Sequence, residues 1–577
     1  MRSSSDAIGS ADELLYGLDD EQRRAAQALL GPVAILAGAG TGKTRAITHR
    51  IAYGVATGAY DPERVLALTF TARAAGELRV RLRGLGAGGV AARTFHAAAL
   101  AQLGYFWPRL TGSPAPALLG AKASLLGQAA ESLRLRAGPG TLRDVAGEIE
   151  WRKVSRLSLE EYAERAAARP VEGLSVDQSL ELQRRYEQLK DERKRLDFED
   201  VLLVTAGMIA AEPAVAEEVR SRYRIFTVDE YQDVSALQQE LLELWLGPRT
   251  DLCVVGDASQ TIFSFAGATD AYLLGFATRY PEAEVIRLER NYRSTGGVLT
   301  LANSLMRGRA GALELYAAEG PASGRRPAAP IAYNDDAAEA RGVAASIATQ
   351  ISQGTPPAQI AVLARVAAQT VAIEQALAEL GIGARQLGGA RFFELEAVTR
   401  AMLELRSLAR ETPTARLYDT VADVARRAGW TLEPPPAGGS RRERWEALTA
   451  LVELADAAAE GMTLPEFVAE LADREAAQHE PPLHAVTLST LHGAKGLEWD
   501  SVHLIGLAEG VLPIGYARTP AEIDEERRLL YVGLTRARRR LSLSWARAGL
   551  RGRPRDPSRF LTELSTGSRD AGASGAR

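Results

Sequence analysis

Two short stretches of the chain carry residue types that bind and cleave nucleotide phosphates. The first is VAILAGAGTGKT, residues 33–44, in which an apolar run leads into a glycine-rich turn and then into Lys43 and Thr44. Glycines let backbone N–H groups wrap phosphate oxygens, the lysine reaches the β- and γ-phosphates, and the threonine hydroxyl binds Mg²⁺. The stretch therefore predicts a P-loop, the cradle of an ATP and Mg²⁺ site.

The P-loop pattern G-x-x-x-x-G-K-[ST] is met at every position except the first, which is Ala37. Alanine is tolerated there if its φ stays negative. The alternative is an accidental glycine-rich turn, but the apolar run before it and the helical RAITHRIAYGVA after it favour a P-loop. The residues predicted to cradle the phosphates are Ala37, Gly38, Ala39, Gly40, Thr41, Gly42, Lys43 and Thr44.

The second stretch is VDEYQD, residues 228–233, which packs three carboxylates into six residues directly after an apolar run. A P-loop needs an acid on the metal side at the end of a neighbouring strand. Asp229 would hold Mg²⁺ through its water shell, and Glu230 would orient or deprotonate the attacking water. A charged turn at a strand end is the alternative interpretation.

These residues need strands and helices to position them, and the chain supplies both in alternation. Apolar, β-branched runs separated by helical stretches predict parallel sheets covered on both faces, in two α/β domains. The predicted strands are 33–38, 65–70, 225–230 and 252–257 in the first half, and 360–365, 485–490, 502–507 and 541–546 in the second.

Two long segments rich in Ala, Leu, Arg and Glu interrupt this alternation, and we interpret them as helical insertions at about 97–204 and 397–479. The segment EPPPAGGS, 433–440, predicts a loop inside the second. The predicted domains are 13–294 and 295–549, each containing one insertion. A basic tail over 550–577 follows, with disorder expected from about Ser565.

Composition limits the remaining possibilities. The 577 residues are 46% hydrophobic and 25% charged, without an apolar run long enough for a membrane span or a signal peptide, so we expect a cytoplasmic, nucleoid-associated protein. The single cysteine, Cys253, rules out Cys-rich metal sites and predicts a small buried hydrophobe. The net charge of −4 argues against coating nucleic acid by bulk charge. Local basic tracks at 184–196 and 536–540 are either solvated helix faces or DNA contacts.

Taken together and in order, the motifs resemble those of the UvrD/Rep/PcrA group of superfamily-one DNA helicases. The segments that carry the resemblance are LDDEQRRAAQ (18–27), ALTFTARAAGELRVRL (67–82), ARTFHAAAL (92–100), VDEYQD (228–233), VVGDASQTIFSFAGA (254–268), LERNYRST (288–295), LSTLHGAKGLEWDSVHLIGLAEGVLP (488–513) and DEERRLLYVGLTRARRRL (524–541). The resemblance implies two RecA-like motor domains, movement from 3′ to 5′ along single-stranded DNA, and a role in repair or recombination.

The resemblance also assigns roles to residues outside the P-loop. It implies that ATP lies between two lobes. The implied contacts are Gln22 to adenine, Tyr292 and Arg45 around adenine, Glu498 to ribose, Gln260 as the sensor that joins γ-phosphate to DNA, and Arg293 and Arg536 as arginine fingers on the γ-phosphate.

Aromatic side chains in the DNA-contacting motifs are predicted to stack on bases. They are Phe70, Phe95, His96, Phe263, Phe265 and Trp499, with core packing as the alternative for each. The family usually has Trp followed by Arg where this chain has Phe265 and Ala266, so we expect a weaker grip there. Expected partners are single-stranded DNA, single-strand/duplex junctions and a protein partner in repair, with no membrane, and the chain is expected to be a monomer or weak dimer.

Longer stretches, YFWPRL, RDVAGEIEW, LDFEDVLL and RRERWEALTAL, resemble the actinobacterial second UvrD-type subgroup. Its longer members carry a Cys-rich element and an HRDC domain, neither of which we expect here. The second insertion is also shorter than the family's, so translocation is better supported than strand separation. Three hypotheses follow: a DNA helicase, a single-strand-stimulated translocase that displaces proteins or needs a partner to unwind, and a nucleotide-dependent scaffold without turnover. The intact Lys43, Glu230 and Arg536 argue against the scaffold.

Overall fold

Two six-stranded parallel sheets organise the computed structural model, which describes residues 11–167, 169–319, 327–387, 392–410, 416–433, 435, 440–459, 461–476, 484–549 and 552–570. The strands are β1 (Val33–Ala37), β2 (Val65–Thr69), β3 (Ala91–Thr94), β4 (Ala117–Leu118), β5 (Arg195–Leu196), β6 (Ile225–Val228), β7 (Leu252–Gly256), β8 (Glu284–Leu288), β9 (Arg290–Asn291), β10 (Tyr316–Ala317), β11 (Ile331–Tyr333), β12 (Ile360–Ala364), β13 (Ala384–Gln386), β14 (Val486–Thr490), β15 (Trp499–Leu504) and β16 (Ala537–Ala546). The first sheet has the order β3-β2-β6-β7-β1-β8 and the second β11-β16-β15-β12-β14-β13.

Helices connect and cover these strands. They are α1 (Asp20–Gln27), α2 (Lys43–Ala56), α3 (Ala72–Gly84), α4 (Phe95–Thr111), α5 (Lys122–Ser132), α6 (Pro139–Val154), α7 (Leu159–Ala166), α8 (Val176–Glu192), α9 (Phe198–Ala211), α10 (Pro213–Arg222), α11 (Ala236–Leu246), α12 (Ala271–Leu274), α13 (Phe276–Arg279), α14 (Gly296–Met306), α15 (Asp336–Ser352), α16 (Thr370–Glu379), α17 (Glu396–Leu408), α18 (Leu417–Arg427), α19 (Ser440–Asp456), α20 (Leu464–Ala476), α21 (Pro520–Leu534) and α22 (Arg559–Asp570). None of the helices in the described ranges is long and apolar enough to cross a membrane.

The chain forms two compact units, one of Met1–Ala37 with Gly42–Leu288 and one of Gly38–Thr41 with Glu289–Arg577. The α/β class with two parallel sheets is confirmed. The predicted domain limits of 13–294 and 295–549 stay a prediction.

The four inner strands of the first sheet, β2, β6, β7 and β1, are buried on both faces, which explains why they are almost continuously apolar. Successive residues of β1 point to opposite faces, so Val33 and Ile35 pack with α2 and α3 while Ala34 faces the core of α4, α9 and α11. Strands β6 and β7 are adjacent and parallel, with Thr227 opposite Cys253. Cys253 is buried, as its apolar surroundings predict.

The sheet order determines where the acidic residues meet. Because β6 and β7 are parallel neighbours, the residues that follow their carboxyl ends emerge at the same edge of the sheet. Short 3-10 helices begin there, at Tyr231–Asp233 after β6 and at Ala258–Gln260 after β7, and another at Ser264–Ala266 follows. The edge is therefore the place where VDEYQD and GDASQ come together.

Helices fill the two predicted insertions. In the first unit, α5, α6 and α8 pack around an apolar core that includes Leu126, Ile149 and Leu182. In the second unit, α17 to α20 form a core around Leu405, Val421 and Leu448. The loop predicted over 433–440 lies partly outside the described residues.

The end of the chain differs from the predicted tail. Helix α22 (Arg559–Asp570) occupies much of the segment expected to be basic and partly disordered, and it continues past Ser565. Phe560 is fully buried, and Arg527 of α21 binds Glu563 at 2.9 Å, so apolar packing and an ion pair hold the part of this helix that precedes Ser565. Residues 571–577 lie outside the described residues.

Candidate nucleotide and DNA site

The glycine-rich turn has the backbone geometry of a phosphate cradle. Gly40 has φ of 70° and Gly42 of 81°, a region that side chains disfavour. A Cβ on Gly42 would lie 2.7 Å from Nε2 of Gln22, and one on Gly40 would lie 2.6 Å from Nδ2 of Asn291. Gly42 caps α2 without a side-chain hydrogen bond, so no capping side chain competes for the first N–H groups of that helix.

The remaining cradle residues occupy the places that the motif predicts. Ala37 is a fully buried strand residue of β1 without a positive φ, so alanine at this position costs no backbone strain. Thr41 donates its hydroxyl to Gly38 O at 2.9 Å, and Ala39 O accepts a bond from Asn291 Nδ2 at 2.5 Å. Thr44 lies in the first turn of α2.

Lys43 faces the acidic edge of the sheet. Its Nζ donates to Glu230 Oε1 at 3.1 Å. Burial alone would lower the pKa of Lys43, but the charges of Glu230, Asp229 and Asp257 together raise it. The lysine is therefore held as a cation where a phosphate would need it.

Three carboxyl groups surround this one ammonium group. Burial raises the pKa of Asp229, and the neighbouring charge of Glu230 raises it further, against the opposing effect of Lys43. Burial likewise raises the pKa of Asp257. Because the acids outnumber the one base at this edge, a bound cation would be stabilised there.

Glu230 is held in an uncommon backbone conformation, with φ of 54° and ψ of 39°. Non-glycine residues occupy this left-handed region rarely, and such strain concentrates at functional sites. The conformation follows the end of β6, where Asp229 N bonds Leu68 O at 2.9 Å. It directs the Glu230 carboxylate to both Lys43 and Gln232 Nε2, the latter at 2.5 Å.

The predicted sensor Gln260 is buried and bonds a residue that the sequence interpretation missed. Gln260 Nε2 donates to Asp257 Oδ2 at 2.8 Å, and the backbone N–H of Asp257 donates to Gln232 Oε1 at 3.0 Å. Asp257 and Gln232 are thus part of the site although neither was predicted. Asp257 follows β7 directly, as Asp229 follows β6, and this equivalent position was the available signal.

The predicted adenine residues divide between the two units. Gln22 is buried in α1, where it forms a capping box with Asp19, and its amide contacts the P-loop as described above. Arg45 is exposed on α2. Tyr292 belongs to the second unit, is half exposed, and lies 5.8 Å from the guanidinium of Arg290.

The second unit brings three predicted residues together around Thr535. Arg293 forms an ion pair with Glu498 and donates to Thr535 O at 3.4 Å. Arg536 Nη2 donates to Thr535 Oγ1 at 3.3 Å. Burial would raise the pKa of Glu498, but Arg293 and Arg538 hold it below its usual range. The predicted ribose contact, Glu498, is thus paired with the predicted finger Arg293.

Arg536 itself is buried, with 2% of its surface exposed. Its Nε donates to Val532 O and its Nη1 to Leu497 O, each at 3.0 Å. These bonds orient the guanidinium from α21 and from the loop before β15.

Two of the predicted stacking residues are exposed enough to meet a base. Phe265 is 58% exposed, and Phe263 is half-buried beside it with the ring centroids 6.0 Å apart. His96 stacks on Phe198 at 3.8 Å, and burial, with a smaller effect of Lys122, lowers the pKa of His96 to about 4, so the ring is neutral at pH 7. Phe198, itself 58% exposed, was missed because it lies near the end of the predicted insertion, 97–204, rather than in a DNA-contacting motif.

Two other predicted stacking residues, Phe95 and Trp499, are buried in the structure. Phe95 is 1% exposed and packs against Trp245 and Phe70 in the core of the first unit, and Phe70 is only partly buried at the edge of that core. Trp499 is 7% exposed at the start of β15. In both cases the core-packing alternative holds, because each ring lies on the inner side of its element.

The basic track at 184–196 is only partly a solvated face. Arg184 and Arg185 are paired with acids near them in the sequence, as a solvated face predicts. Lys190 is instead buried, with Nζ 2.6 Å from Glu187 and 3.2 Å from Asp197. The second basic track, 536–540, is likewise only partly a solvated face, because Arg536 is buried.

Comparison with known proteins shows to which family the chain belongs. Residues 18–281 match the family model described as UvrD/REP helicase N-terminal domain, and residues 286–434 and 437–548 match the UvrD-like helicase C-terminal domain. The chain belongs to the UvrD-like helicases. Its two parallel sheets accordingly belong to the two RecA-like motor domains of that family.

Several curated UvrD-like helicases are similar over most of their length. The chain is 48% identical to the ATP-dependent DNA helicase UvrD2 of Mycobacterium tuberculosis, with 96% of this chain and 83% of the relative covered. It is 31% identical to the ATP-dependent DNA helicase UvrD1 of the same organism, with 96% and 86% covered. DNA helicase II of Escherichia coli is 30% identical, with 96% and 88% covered. The resemblance to this family and to its second mycobacterial type is thus confirmed.

Proposed function

We propose that the protein is an ATP-dependent DNA helicase that moves from 3′ to 5′ along single-stranded DNA in repair or recombination. Membership of the UvrD-like helicases, whose similar members are named ATP-dependent DNA helicases, supports the enzyme class and the use of ATP. The observation that carries the proposal is a continuous set of contacts running from Lys43 through Glu230, Gln232 and Asp257 to Gln260. This set joins the phosphate cradle to the loop that bears Phe265.

In this proposal the cradle binds the triphosphate and the carboxylate acts on water. Lys43 leaves Glu230 to bind the β- and γ-phosphates, because a phosphate carries more charge than the carboxylate it replaces. The freed Glu230 accepts a hydrogen bond from the attacking water and orients it for in-line attack. Gln260 reports the γ-phosphate, and Arg293 and Arg536 stabilise the charge that develops on it.

Mg²⁺ belongs to the same proposal, held by Thr44 and Asp229. The acid excess at the sheet edge fits a divalent cation, as the raised pKa of Asp229 indicates. The described part of the chain contains no cluster of three or more metal-binding side chains, which fits an ion held chiefly by phosphates and water. When bound, Mg²⁺ neutralises charge on the phosphate oxygens.

Single-stranded DNA should raise ATP turnover strongly over a low basal rate. The reason is that Gln260 and Phe265 belong to one loop, so DNA bound at Phe265 can order the residues that sense ATP. The measurement is steady-state ATPase activity as single-stranded DNA is added. Equal turnover with and without DNA would contradict the proposal.

Replacing Phe265 with alanine should weaken single-stranded DNA binding by about 5- to 150-fold, the equivalent of one lost base stack. Fluorescence anisotropy of a labelled oligonucleotide measures this. Tyr105→Ala is the control, since Tyr105 is also an exposed aromatic residue of the first unit but bonds Glu218 at 2.7 Å. Equal losses in both variants would remove Phe265 from the DNA site.

Two observations favour a second candidate, a translocase that displaces proteins or needs a partner to unwind. The insertion of the second unit is built from only four described helices, α17 to α20, and the chain has Ala266 where the family usually has arginine. Unwinding of a 3′-tailed duplex, assayed beside displacement of streptavidin from a biotinylated strand, separates the two. Displacement without unwinding would favour the translocase.

A further inference from the structure

A single buried glutamine joins the two acidic strand ends of the first sheet. Gln232 lies in the 3-10 helix after β6 and has no exposed surface. Its Nε2 donates to Glu230 Oε2 at 2.5 Å, and its Oε1 accepts the backbone N–H of Asp257 at 3.0 Å. Its backbone oxygen also accepts the hydroxyl of Thr261 at 3.4 Å.

The chemistry of its partners fixes which way this amide points. A carboxylate only accepts hydrogen bonds and a backbone N–H only donates, so the NH₂ group must face Glu230 and the oxygen must face Asp257. Glutamate at this position could accept from Asp257 but would repel Glu230. Leucine could do neither, and would remove the hydrogen bonds of the amide to the Glu230 carboxylate and to the backbone N–H of Asp257.

The Asp257 end of this connection leads directly to the sensor loop. Asp257 Oδ2 accepts from Gln260 at 2.8 Å, and Phe263 and Phe265 follow within the same loop. The backbone before Asp257 is packed tightly against the amide, because a Cβ on Gly256 would lie 2.6 Å from Gln232 Oε1. A movement of the Glu230 carboxylate would therefore push the Gln232 amide against the backbone at Gly256.

We propose that Gln232 is a positioning residue that couples the nucleotide state at Glu230 to DNA binding at the loop of Gln260 and Phe265. The inference deepens the proposed function and rests on it. Gln232 touches no reacting atom. Its role is to make the position of the loop depend on whether Glu230 faces Lys43 or an attacking water. Because coupling between two ligands is reciprocal, nucleotide must then change the affinity for DNA through the same residue, typically by about 5- to 150-fold.

The test measures single-stranded DNA affinity by anisotropy, with and without a non-hydrolysable ATP analogue, together with ATPase stimulation by DNA. We expect the analogue to change the affinity of the wild-type protein, and that change to shrink to about twofold or less in both Gln232→Leu and Gln232→Glu. The nearly isosteric Gln232→Glu keeps the test decisive should Gln232→Leu fail to fold.

Gln183→Leu is the matched control. Gln183 is an equally buried glutamine of the first unit, and it accepts from Arg152 at 3.0 Å in the insertion. The Gln183→Leu variant should unfold at a lower temperature, but the ATP analogue should still change its affinity for DNA.

The outcomes separate the inference from the proposed function. If nucleotide does not change the DNA affinity of the wild-type protein, both the inference and the proposed function are overturned. A coupled wild-type protein whose coupling survives in the Gln232 variants would overturn the inference alone. Loss of coupling in Gln183→Leu as well would reduce Gln232 to an ordinary contributor to stability.

Discussion

Arg536→Ala should lower ATP turnover at saturating single-stranded DNA by about 10³-fold or more, the lower end of the effect of an arginine finger. ATP affinity and DNA affinity should stay nearly normal, because the finger acts on charge that develops only during transfer. Steady-state ATPase assays give the turnover, and titrations with labelled nucleotide and labelled DNA give the two affinities. A rate within threefold of wild type would mean that Arg536 does not act on the γ-phosphate.

The burial of Arg536 makes a stability control necessary. Truncation leaves Val532 O and Leu497 O without this donor, at a cost of about 1–3 kcal/mol in the free energy of unfolding. Arg527→Ala is the control, since Arg527 lies on the same helix α21, is 5% exposed, and binds Glu563. We expect both variants to unfold at lower temperature but only Arg536→Ala to lose turnover.

The strands that could be predicted are those buried on both faces. A continuous apolar run is typical of a strand that is covered on both faces. All eight predicted strands appear within a few residues of their expected limits. The strands missed in the first sheet, β3 and β8, are its two edges. An edge strand has one neighbour and a half-exposed face, so Ala91–Thr94 and Glu284–Leu288 contain polar residues that hide the strand pattern.

The site was predicted as far as its chemistry follows from residue type and spacing. Lys43 and Glu230 lie 187 positions apart, yet a P-loop requires an acid on a neighbouring strand, and the two side chains do meet. Asp257 could have been found from its position directly after β7, but Gln232 could not, because its function lies in a hydrogen bond from its side chain to a backbone N–H. Such a bond depends on the register of β6 and β7, which residue types alone do not give.

Burial explains why the structure differs from the sequence interpretation at three further side chains. Phe95 and Trp499 stand beside DNA-contacting motifs, but a neighbouring motif does not reveal which side of the element an aromatic ring occupies. Lys190 was interpreted as part of a basic track because Asp197, one of the acids that neutralise it beside Glu187, lies outside helix α8. A charge can be buried when several acids neutralise it, and a local charge pattern does not show them.

Lys43→Ala and Glu230→Gln should both abolish turnover while differing in nucleotide binding. Removing Lys43 deletes a charge-assisted phosphate contact and leaves Glu230 without the cation 3.1 Å away, so ATP affinity should fall by about 10- to 100-fold. Glu230→Gln keeps the size of the side chain and an oxygen that can accept from Lys43. It removes the base, worth about 10²- to 10⁴-fold in rate, and should trap ATP together with DNA.

The contrast between these two variants is what tests the role of Glu230. If Glu230 served mainly to anchor Lys43, its replacement would free the lysine and disturb the cradle, and both variants would bind nucleotide poorly. If Glu230 acts on water, Glu230→Gln should bind ATP at least as tightly as wild type, because it removes one negative charge from an edge that already carries an excess of acid. Nucleotide affinity measured with labelled ATP, beside single-turnover hydrolysis, distinguishes the two. Equally weak binding by both variants would assign Glu230 to the structure of the cradle rather than to the chemistry.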